Sequence, residues 1–227
     1  MVAIFVVATI IGFLIIDYFV QRAEKKRVAL APAPSTSTKP RFVIPKGYFF
    51  GKGHTWVEVL SNGMARIGVD DFVQRIVGKV DKVTVVPVGS AVRTGDKVFE
   101  IKQGTKVMAF HAPISGKLAA FNEDLSSLPN LINKDTYNGG WIAVIQPSDL
   151  AADIKKLPIG NDAAQWLREE IKKFRNFISA ELSASTAGAP GKLAMGTTLL
   201  DGGIPVDSVM RDASQEVWRK FENNFLL

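Results

Sequence analysis

Side chains able to do chemistry are few in this 227-residue chain. It contains no cysteine, which excludes disulfides, cysteine-ligated metals and thiol nucleophiles. Neither of its two histidines, His54 and His111, has a nucleophile motif beside it. We therefore predict that each is a packed or solvent-facing strand residue, with a proton relay as the alternative. Asp201-Gly202-Gly203 lacks the lysine and hydroxyl residue of a phosphate loop and is predicted to be a tight turn. With no paired carboxylates or metal-ligand spacing, the sequence indicates that the protein is not an enzyme.

The elements that must position these residues are predicted by turn signals between residues 42 and 148. Two short runs, 56–60 and 64–68, flank Asn62-Gly63, which is a strong signal for a β-hairpin. Asp70-Asp71 is predicted to cap a short helix that ends at Gly78. Further strands are predicted at residues 80–86, 91–92, 98–101, 107–111 and 117–121. This part of the chain is therefore expected to be a small, mainly β domain.

Residues 150–227 have a helical pattern instead. Asp162 is predicted to be the N-cap of a first helix. The apolar residues of that helix recur at helical spacing and are Leu167, Ile171, Phe174 and Ile178. A last helix is predicted over 207–225, and its apolar face carries Trp218, Phe221 and Phe225. We expect these aromatic side chains to pack on the first helix or on the β domain.

The N-terminal stretch, residues 2–20, is almost wholly apolar, with Asp17 its single charge. At 1.5 Å per residue it is long enough to cross a hydrocarbon core of roughly 30 Å. A cleaved signal peptide would carry a positive residue before its apolar run, and none is present. We therefore predict an uncleaved transmembrane helix with Asp17 at the headgroup level. The positive flank, Arg22 to Arg27, predicts a single-pass protein of the cytoplasmic membrane whose bulk lies on the cytoplasmic side.

These patterns divide the chain into four segments. They are an anchor with a basic flank (1–27), a tether rich in Pro, Ala, Ser and Thr (28–41), a β domain (42–149) and a helical extension (150–227). The net charge of +6 suits a domain held near an anionic leaflet. The positive residues are scattered and are not interleaved with stacking aromatics, so nucleic acid is not an expected partner.

Several phrases of the β domain, in order, resemble the H protein of the glycine cleavage system. They are Gly53-His54-Thr55-Trp56-Val57, the run from Ile67 to Phe72 with Gly78, and a tail with Asn122-Glu123-Asp124, Pro129, Asn133, Tyr137 and Gly140-Trp141. The resemblance covers about residues 50–149. It implies a lipoyl-like barrel-sandwich hybrid of the H-protein type, here with an N-terminal transmembrane helix and a C-terminal α-helical extension.

The same resemblance directs attention to one hairpin, because the family carries lipoate on a lysine at a hairpin apex. Counting back from His111-Ala112-Pro113, the attachment position falls on Thr105, which cannot form the amide. Lys106 lies one residue further on, and a one-residue step in a strand turns the side chain to the opposite face. Lys102 replaces the acidic residue that the family tends to carry three positions earlier. The expected cofactor is therefore none, with Lys106 the cofactor-binding residue only if it is lipoylated.

Two functions follow from this reading. The preferred one is a membrane-anchored, non-catalytic scaffold or interaction subunit that has lost lipoate attachment. It would dock unidentified protein partners, such as subunits of a membrane or cytoplasmic complex. The alternative is a lipoyl carrier modified at Lys106 that shuttles groups between membrane-associated enzymes. A third interpretation, an export adaptor, would need the domain outside the cell and usually an inserted helical hairpin, which the sequence lacks.

Overall fold

Short strands separated by turns make up most of the structure between Tyr48 and Pro147. The computed structural model describes residues 42–185, 199–200, 204–205 and 207–227. The strands are β1 (Tyr48–Phe50), β2 (Thr55–Val59), β3 (Ala65–Val69), β4 (Lys82–Val85), β5 (Ala91–Val92), β6 (Lys97–Gln103), β7 (Lys106–His111), β8 (Gly116–Phe121), β9 (Ala143–Pro147), β10 (Leu199–Leu200) and β11 (Ile204–Pro205). The helices are α1 (Asp71–Val77), α2 (Asp124–Ser127), α3 (Leu131–Lys134), α4 (Leu150–Ile154), α5 (Gly160–Ser185) and α6 (Gln215–Phe225).

The strands form two antiparallel sheets and one small strand pair. One sheet has the order β1-β2-β3-β9-β8-β5, the other has the order β4-β6-β7, and β10 pairs with β11. Both larger sheets contribute to the larger of two hydrophobic clusters, with Ile67 and Ile145 from the first sheet and Ile101 and Phe110 from the second. The mainly β prediction is therefore confirmed for the domain, and its core is shared by the two sheets.

The local predictions for the first hairpin and the first helix are confirmed. β2 and β3 pair around the Asn62-Gly63 turn, where Gly63 has a φ of +80° that favours glycine. Asp70 caps α1 by accepting a hydrogen bond from the backbone N–H of Val73 at 2.8 Å. Gly78 follows the helix with a φ of +85°. Each of these features depends on neighbours in the sequence, which is why pattern alone predicts them.

Both C-terminal helices begin at residues other than those predicted. α5 begins at Gly160, so that Asp162 lies within its first turn and is not the N-cap. α6 begins only at Gln215, because Ser214 provides the cap by accepting a hydrogen bond from Val217 N at 3.3 Å. The predicted packing of the terminal aromatics is nevertheless confirmed. The contacts between the two helices include Phe174 with Phe221 and Phe225, each with ring centroids 5.8 Å apart.

Several predicted features lie outside the described residues. They are the apolar span 2–20 with Asp17, the basic flank, the tether and the Asp201-Gly202-Gly203 turn. Within residues 42–185, 199–200, 204–205 and 207–227, no helix combines the length and the apolar character needed to cross a bilayer.

The described chain is fixed to the β domain from its first residue. Phe42 is buried, and its ring meets the ring of Phe72 edge-on with centroids 5.3 Å apart. Val43 N donates to Asp71 Oδ2 at 2.8 Å, and the Tyr137 hydroxyl donates to Val43 O at 2.8 Å. The same hydroxyl accepts from Asp71 N at 3.1 Å. Residues 42 and 43 therefore belong to the folded domain.

This attachment predicts where the chain tolerates truncation. A chain that begins at Arg41 should be soluble and should unfold cooperatively, because it keeps the Phe42 ring and both hydrogen bonds of Val43. A chain that begins at Lys46 should lose about 3 kcal/mol of unfolding free energy, since burial of one phenylalanine is lost together with these bonds. Urea denaturation followed by tryptophan fluorescence measures both. Aggregation of the chain that begins at Arg41 would show that residues 1–40 are needed for folding.

Candidate functional site

The hairpin between β6 and β7 contains the residues that the sequence singled out. Gln103 pairs with Lys106, so Gly104 and Thr105 are the two turn residues. Gly104 has a φ of +59°, which fits the first central position of a type II′ turn, where glycine is preferred. Thr105 is exposed at the second central position. Its side chain therefore lies at the apex of the hairpin.

The tip of this hairpin is bonded to the connection between α1 and β4. The Gln103 side-chain amide donates to Val77 O at 2.9 Å and to Lys79 O at 2.8 Å. Gly104 N donates to Asp81 Oδ2 at 2.7 Å. The turn is therefore held against the body of the domain by a buried amide and by one carboxylate.

The amine of Lys106 is engaged by the C-terminal segment. Its Nζ donates to Arg211 O at 2.6 Å and lies 5.1 Å from the centroid of the Trp218 ring. Partial burial lowers the pKa of Lys106, against a smaller opposing effect of Asp212. Lys102, in contrast, is exposed and lies directly across from Lys82 in the β4–β6 pair. The two lysines that flank the apex therefore lie in different environments.

Helix α6 covers the outer edge of β7, which is an edge strand of its sheet. Ala109 N donates to Glu222 Oε1 at 2.8 Å. His111 Nδ1 donates to Leu226 O at 3.0 Å, which leaves His111 in a packed strand position. The C-terminal helix thus satisfies polar groups along the strand that leaves the hairpin apex.

The second histidine, His54, forms a buried ion-pair cluster. It is fully buried, and its ring lies 5.0 Å from the rings of both Phe72 and Trp166. His54 Nδ1 lies 2.7 Å from Asp70 Oδ2, and Nε2 lies 3.6 Å from Glu170 Oε2. The cluster of His54, Asp70 and Glu170 therefore joins the turn before β2, the N-terminus of α1 and the inner face of α5.

The charged forms of His54 and Glu170 stabilise each other in this cluster. Burial by itself would lower the pKa of His54, but the carboxylates of Asp70 and Glu170 outweigh it and raise the pKa to about 9. Partial burial would raise the pKa of Glu170, but the positive charge of His54 at 3.6 Å, together with Lys173, holds it below its usual value. At neutral pH the cluster therefore contains an imidazolium between two carboxylates. With its histidine shielded from solvent, the arrangement suits a structural ion pair rather than a proton relay.

The sequence predicted that His54 is a packed or solvent-facing strand residue; the structure buries it, but in the turn that precedes β2, and both of its partners were missed. Asp70 was recognised only as a helix cap, and it does cap α1 through Oδ1 while Oδ2 contacts His54. A signal for the second partner was present, because Glu170 lies among the apolar residues Leu167 and Phe174 on one face of α5. A carboxylate on a buried face requires a positive partner.

The polar residues of the tail that resembles the H protein have structural roles. Asn133 Nδ2 donates to Gln74 O at 3.2 Å and to Gly78 O at 2.9 Å, and its Oδ1 accepts from Val80 N. Asn122 Nδ2 donates to the carbonyls of Gly139 and Trp141. These amides satisfy backbone groups where the chain turns, and none of them is left available for chemistry.

No metal centre is formed by the part of the chain that the structure describes, where no three potential ligands from His, Asp and Glu side chains are suitably grouped. A cleft of about 410 Å³ lies at the end of β7, beside His111, Pro113, Leu157 and the terminal residues Leu226 and Leu227. Its lining is mainly apolar. Because no such group of ligands is present, neither His54 nor His111 belongs to a metal site within the described residues.

The His54 cluster predicts how stability depends on pH. A histidine whose pKa is raised from 6.5 to about 9 on folding stabilises the protein fully below pH 6.5. That contribution, about 3 kcal/mol from the size of the shift, should disappear as the pH rises through about 9. Urea denaturation of a chain beginning at Arg41, across this range, measures the decline.

A matched variant isolates this effect from other groups that titrate at alkaline pH. His54 has a φ of +58°, and asparagine tolerates this left-handed region best among residues with side chains. His54→Asn should be less stable at pH 6.5 and should lack the decline seen in the wild type. Equal pH dependence in the two proteins would contradict the charged state assigned to His54.

Comparison with known proteins agrees with the geometry. The family model described as Glycine cleavage H-protein matches residues 48–170. A probable glycine cleavage system H protein of Pyrococcus horikoshii is 34% identical over 127 residues, which cover 56% of this chain and 94% of that protein. Glycine cleavage system H protein 4 of Aquifex aeolicus is 33% identical over 132 residues, 58% of this chain and 76% of that protein. The crystal structure of a glycine cleavage system H protein from Mycobacterium marinum matches 56% of this chain and 98% of its own, with a TM-score of 0.49 and 23% identity. Because the family model covers more than half of the chain, the chain belongs to the glycine cleavage H-protein family and has the mainly β, lipoyl-like fold of that family.

Proposed function

We propose that this protein is a membrane-anchored, non-catalytic member of the H-protein family that carries no lipoate and acts as an interaction subunit. The observation that carries the proposal is Thr105 at the exposed apex of the β6–β7 hairpin. Lipoylation requires a primary amine at this position, and a threonine hydroxyl cannot form the amide. The hairpin is retained while the group that would receive the cofactor is missing.

The surroundings of the apex support this proposal. Lys102 stands where the family tends to carry an acidic residue, which reverses the charge beside the apex. Gln103 and Gly104 bond the turn to the domain. The Lys106 amine is hydrogen-bonded to Arg211 O, so it must leave that carbonyl before it can react. An unmodified, closed hairpin is the state that these contacts stabilise.

One observation favours the alternative, a lipoyl carrier modified at Lys106. Partial burial lowers the pKa of the Lys106 amine, and the neutral amine is the form that attacks an activated acyl group. Lys106 is also the residue next to the apex. In this alternative the C-terminal segment around Arg211 would release the side chain, and the protein would shuttle groups between membrane-associated enzymes.

The anchor and the cellular location are also part of the proposal. The apolar span 2–20 would hold the protein in the cytoplasmic membrane, and the basic flank from Arg22 to Arg27 would keep the bulk of the chain on the cytoplasmic side. The unidentified protein partners would dock on the β domain and on the C-terminal helices. Relatives named as H proteins of the glycine cleavage system support a role in protein assemblies.

Intact-mass spectrometry tests the absence of lipoate directly. The native protein, purified from its own cells, should show the mass of the unmodified chain. Lys106→Arg keeps the positive charge beside Trp218 but cannot be lipoylated, so its mass should differ from wild type only by the substitution. A lipoylated peptide spanning residues 102–106 of the native protein would overturn the proposal in favour of the carrier.

A positive control shows whether the lipoylating machinery can act on this hairpin. Thr105→Lys restores the amine but leaves Lys102 in place of an acid, so modification should be poor. Adding Lys102→Glu should increase the modified fraction several-fold. If Thr105→Lys alone were fully lipoylated, Lys102 would have no influence on recognition of the apex.

Protease protection tests the orientation. Protease added to sealed spheroplasts should leave the folded domain from Phe42 onward intact until the membrane is permeabilised. The reason is the excess of Lys and Arg after the span and its absence before it. Immunoblotting against the C-terminus follows the reaction. Digestion in intact spheroplasts would show that the domain lies outside the membrane, and it would favour the export-adaptor interpretation.

A further inference from the structure

Helix α5 presents a row of positive charges to solvent. Arg168, Lys172 and Arg175 are separated by four and three residues, which places them on one face of the helix. All three side chains are exposed. They span about 10 Å at 1.5 Å of rise per residue. We refer to these three residues as the basic stripe.

The basic stripe is not neutralised by the protein itself. Within the described residues, no carboxylate lies within ion-pair distance of any of its three cations. Two neighbouring exposed positions on this face, Gln165 and Asn176, are neutral, and Glu169 at its border is not within ion-pair distance of the stripe. Glu170, from the same stretch of the helix, points inward to His54 and also pairs with Lys173. Like charges at this spacing repel one another, so an anionic partner would stabilise the stripe.

The opposite, buried side of this helix segment packs close to the start of the domain. Phe42, the first described residue, contacts Phe72 at 5.3 Å, and Phe72 contacts Phe174 at 5.6 Å. Phe174 lies between Lys172 and Arg175 in the sequence of α5. The start of the domain and the buried face of this helix segment therefore contact the same ring, that of Phe72.

We propose that the basic stripe binds the anionic lipid headgroups of the membrane in which the N-terminal span is anchored. This proposal rests on the anchor of the proposed function. The exposed face carries cations and amides but no apolar or aromatic side chain, which suits contact with headgroups and gives no platform for stacking on bases. Its effect would be to fix the domain against the leaflet, with α5 toward the lipid. Partner docking would then be confined to the remaining surface.

Energy transfer in reconstituted vesicles tests this contact with the full chain. Because the chain has no cysteine, Asn176→Cys gives one labelling site on the stripe face. A donor dye at residue 176 and an acceptor dye on the lipid headgroups report the distance between them. Transfer should be higher in vesicles of phosphatidylcholine with phosphatidylserine than in phosphatidylcholine alone. High salt should remove this difference, because it screens exposed charges.

Two variants with the same net charge separate the stripe from a general charge effect. One carries Arg168→Gln, Lys172→Gln and Arg175→Gln. The other carries Lys82→Gln, Lys102→Gln and Lys117→Gln, which removes three exposed cations from the β domain. In the first variant the docked population should fall by about 100-fold relative to the undocked one, since each cation contributes about tenfold or less near an anionic leaflet. The second should resemble the unsubstituted chain.

Each outcome bears on one proposal. Equal transfer in both kinds of vesicle, or an equal loss in the two variants, would overturn the assignment of the stripe. Stripe-dependent binding of a labelled DNA duplex, without a response to anionic vesicles, would also overturn it. Flotation in high salt tests the anchor separately. Protein that leaves the vesicles there would contradict the anchor, whereas retained protein whose transfer ignores lipid charge would contradict only the stripe.

Discussion

The buried contact of His54 with Asp70 and Glu170 is the interaction on which the rest of this structure depends. It connects the first hairpin, the capped helix α1 and the long helix α5 at one point. Placing charges in an apolar interior is costly, and removing one partner of such a cluster typically costs about 3–5 kcal/mol because a buried charge is left uncompensated. His54 also holds a left-handed backbone conformation, with a φ of +58°. The geometry of the cluster maintains this strained position.

The position of α5 determines that of the remaining C-terminal segment. Phe174 and Phe177 on α5 pack against Phe221 and Phe225 on α6. Through these rings, α6 is held along the edge of β7, where Glu222 accepts from Ala109 N. The family match ends at residue 170, so α6 and most of α5 lie beyond it. The contacts that engage Lys106 and cover β7 therefore come from a part of the chain outside the matched family region.

Membership of the H-protein family explains the fold more directly than the activity. The shared phrases include residues such as Asn122, Asn133 and Tyr137, whose polar atoms bond backbone groups within the domain. These bonds are needed whether or not a cofactor is attached. The proposed loss of lipoate depends instead on one residue, Thr105 at the hairpin apex. The fold and the proposed absence of lipoate are compatible, because different residues determine each.

Much of the β domain was predictable from the sequence, because its signals are local. The Asn62-Gly63 turn, the Asp70 cap and the Gly78 terminus depend on residues a few positions apart, and the alternation of apolar residues marks the strands. The mainly β class, the hairpin and the aromatic faces of the last two helices followed from these signals. The start of α6 was not predicted correctly. The sequence pattern placed it at residue 207, whereas Ser214 is the N-cap in the structure.

The hairpin and the His54 cluster show where sequence alone stopped being sufficient. The sequence determined that a threonine stands where the resemblance implies the attachment lysine. Only the tertiary structure decided that the Lys106 amine meets Arg211 O and that His54 lies between Asp70 and Glu170. These partners are distant along the chain, and their side chains meet only after the sheets and helices have packed. The protonation of His54 is likewise a property of that packed environment, because burial and two neighbouring carboxylates together set its pKa.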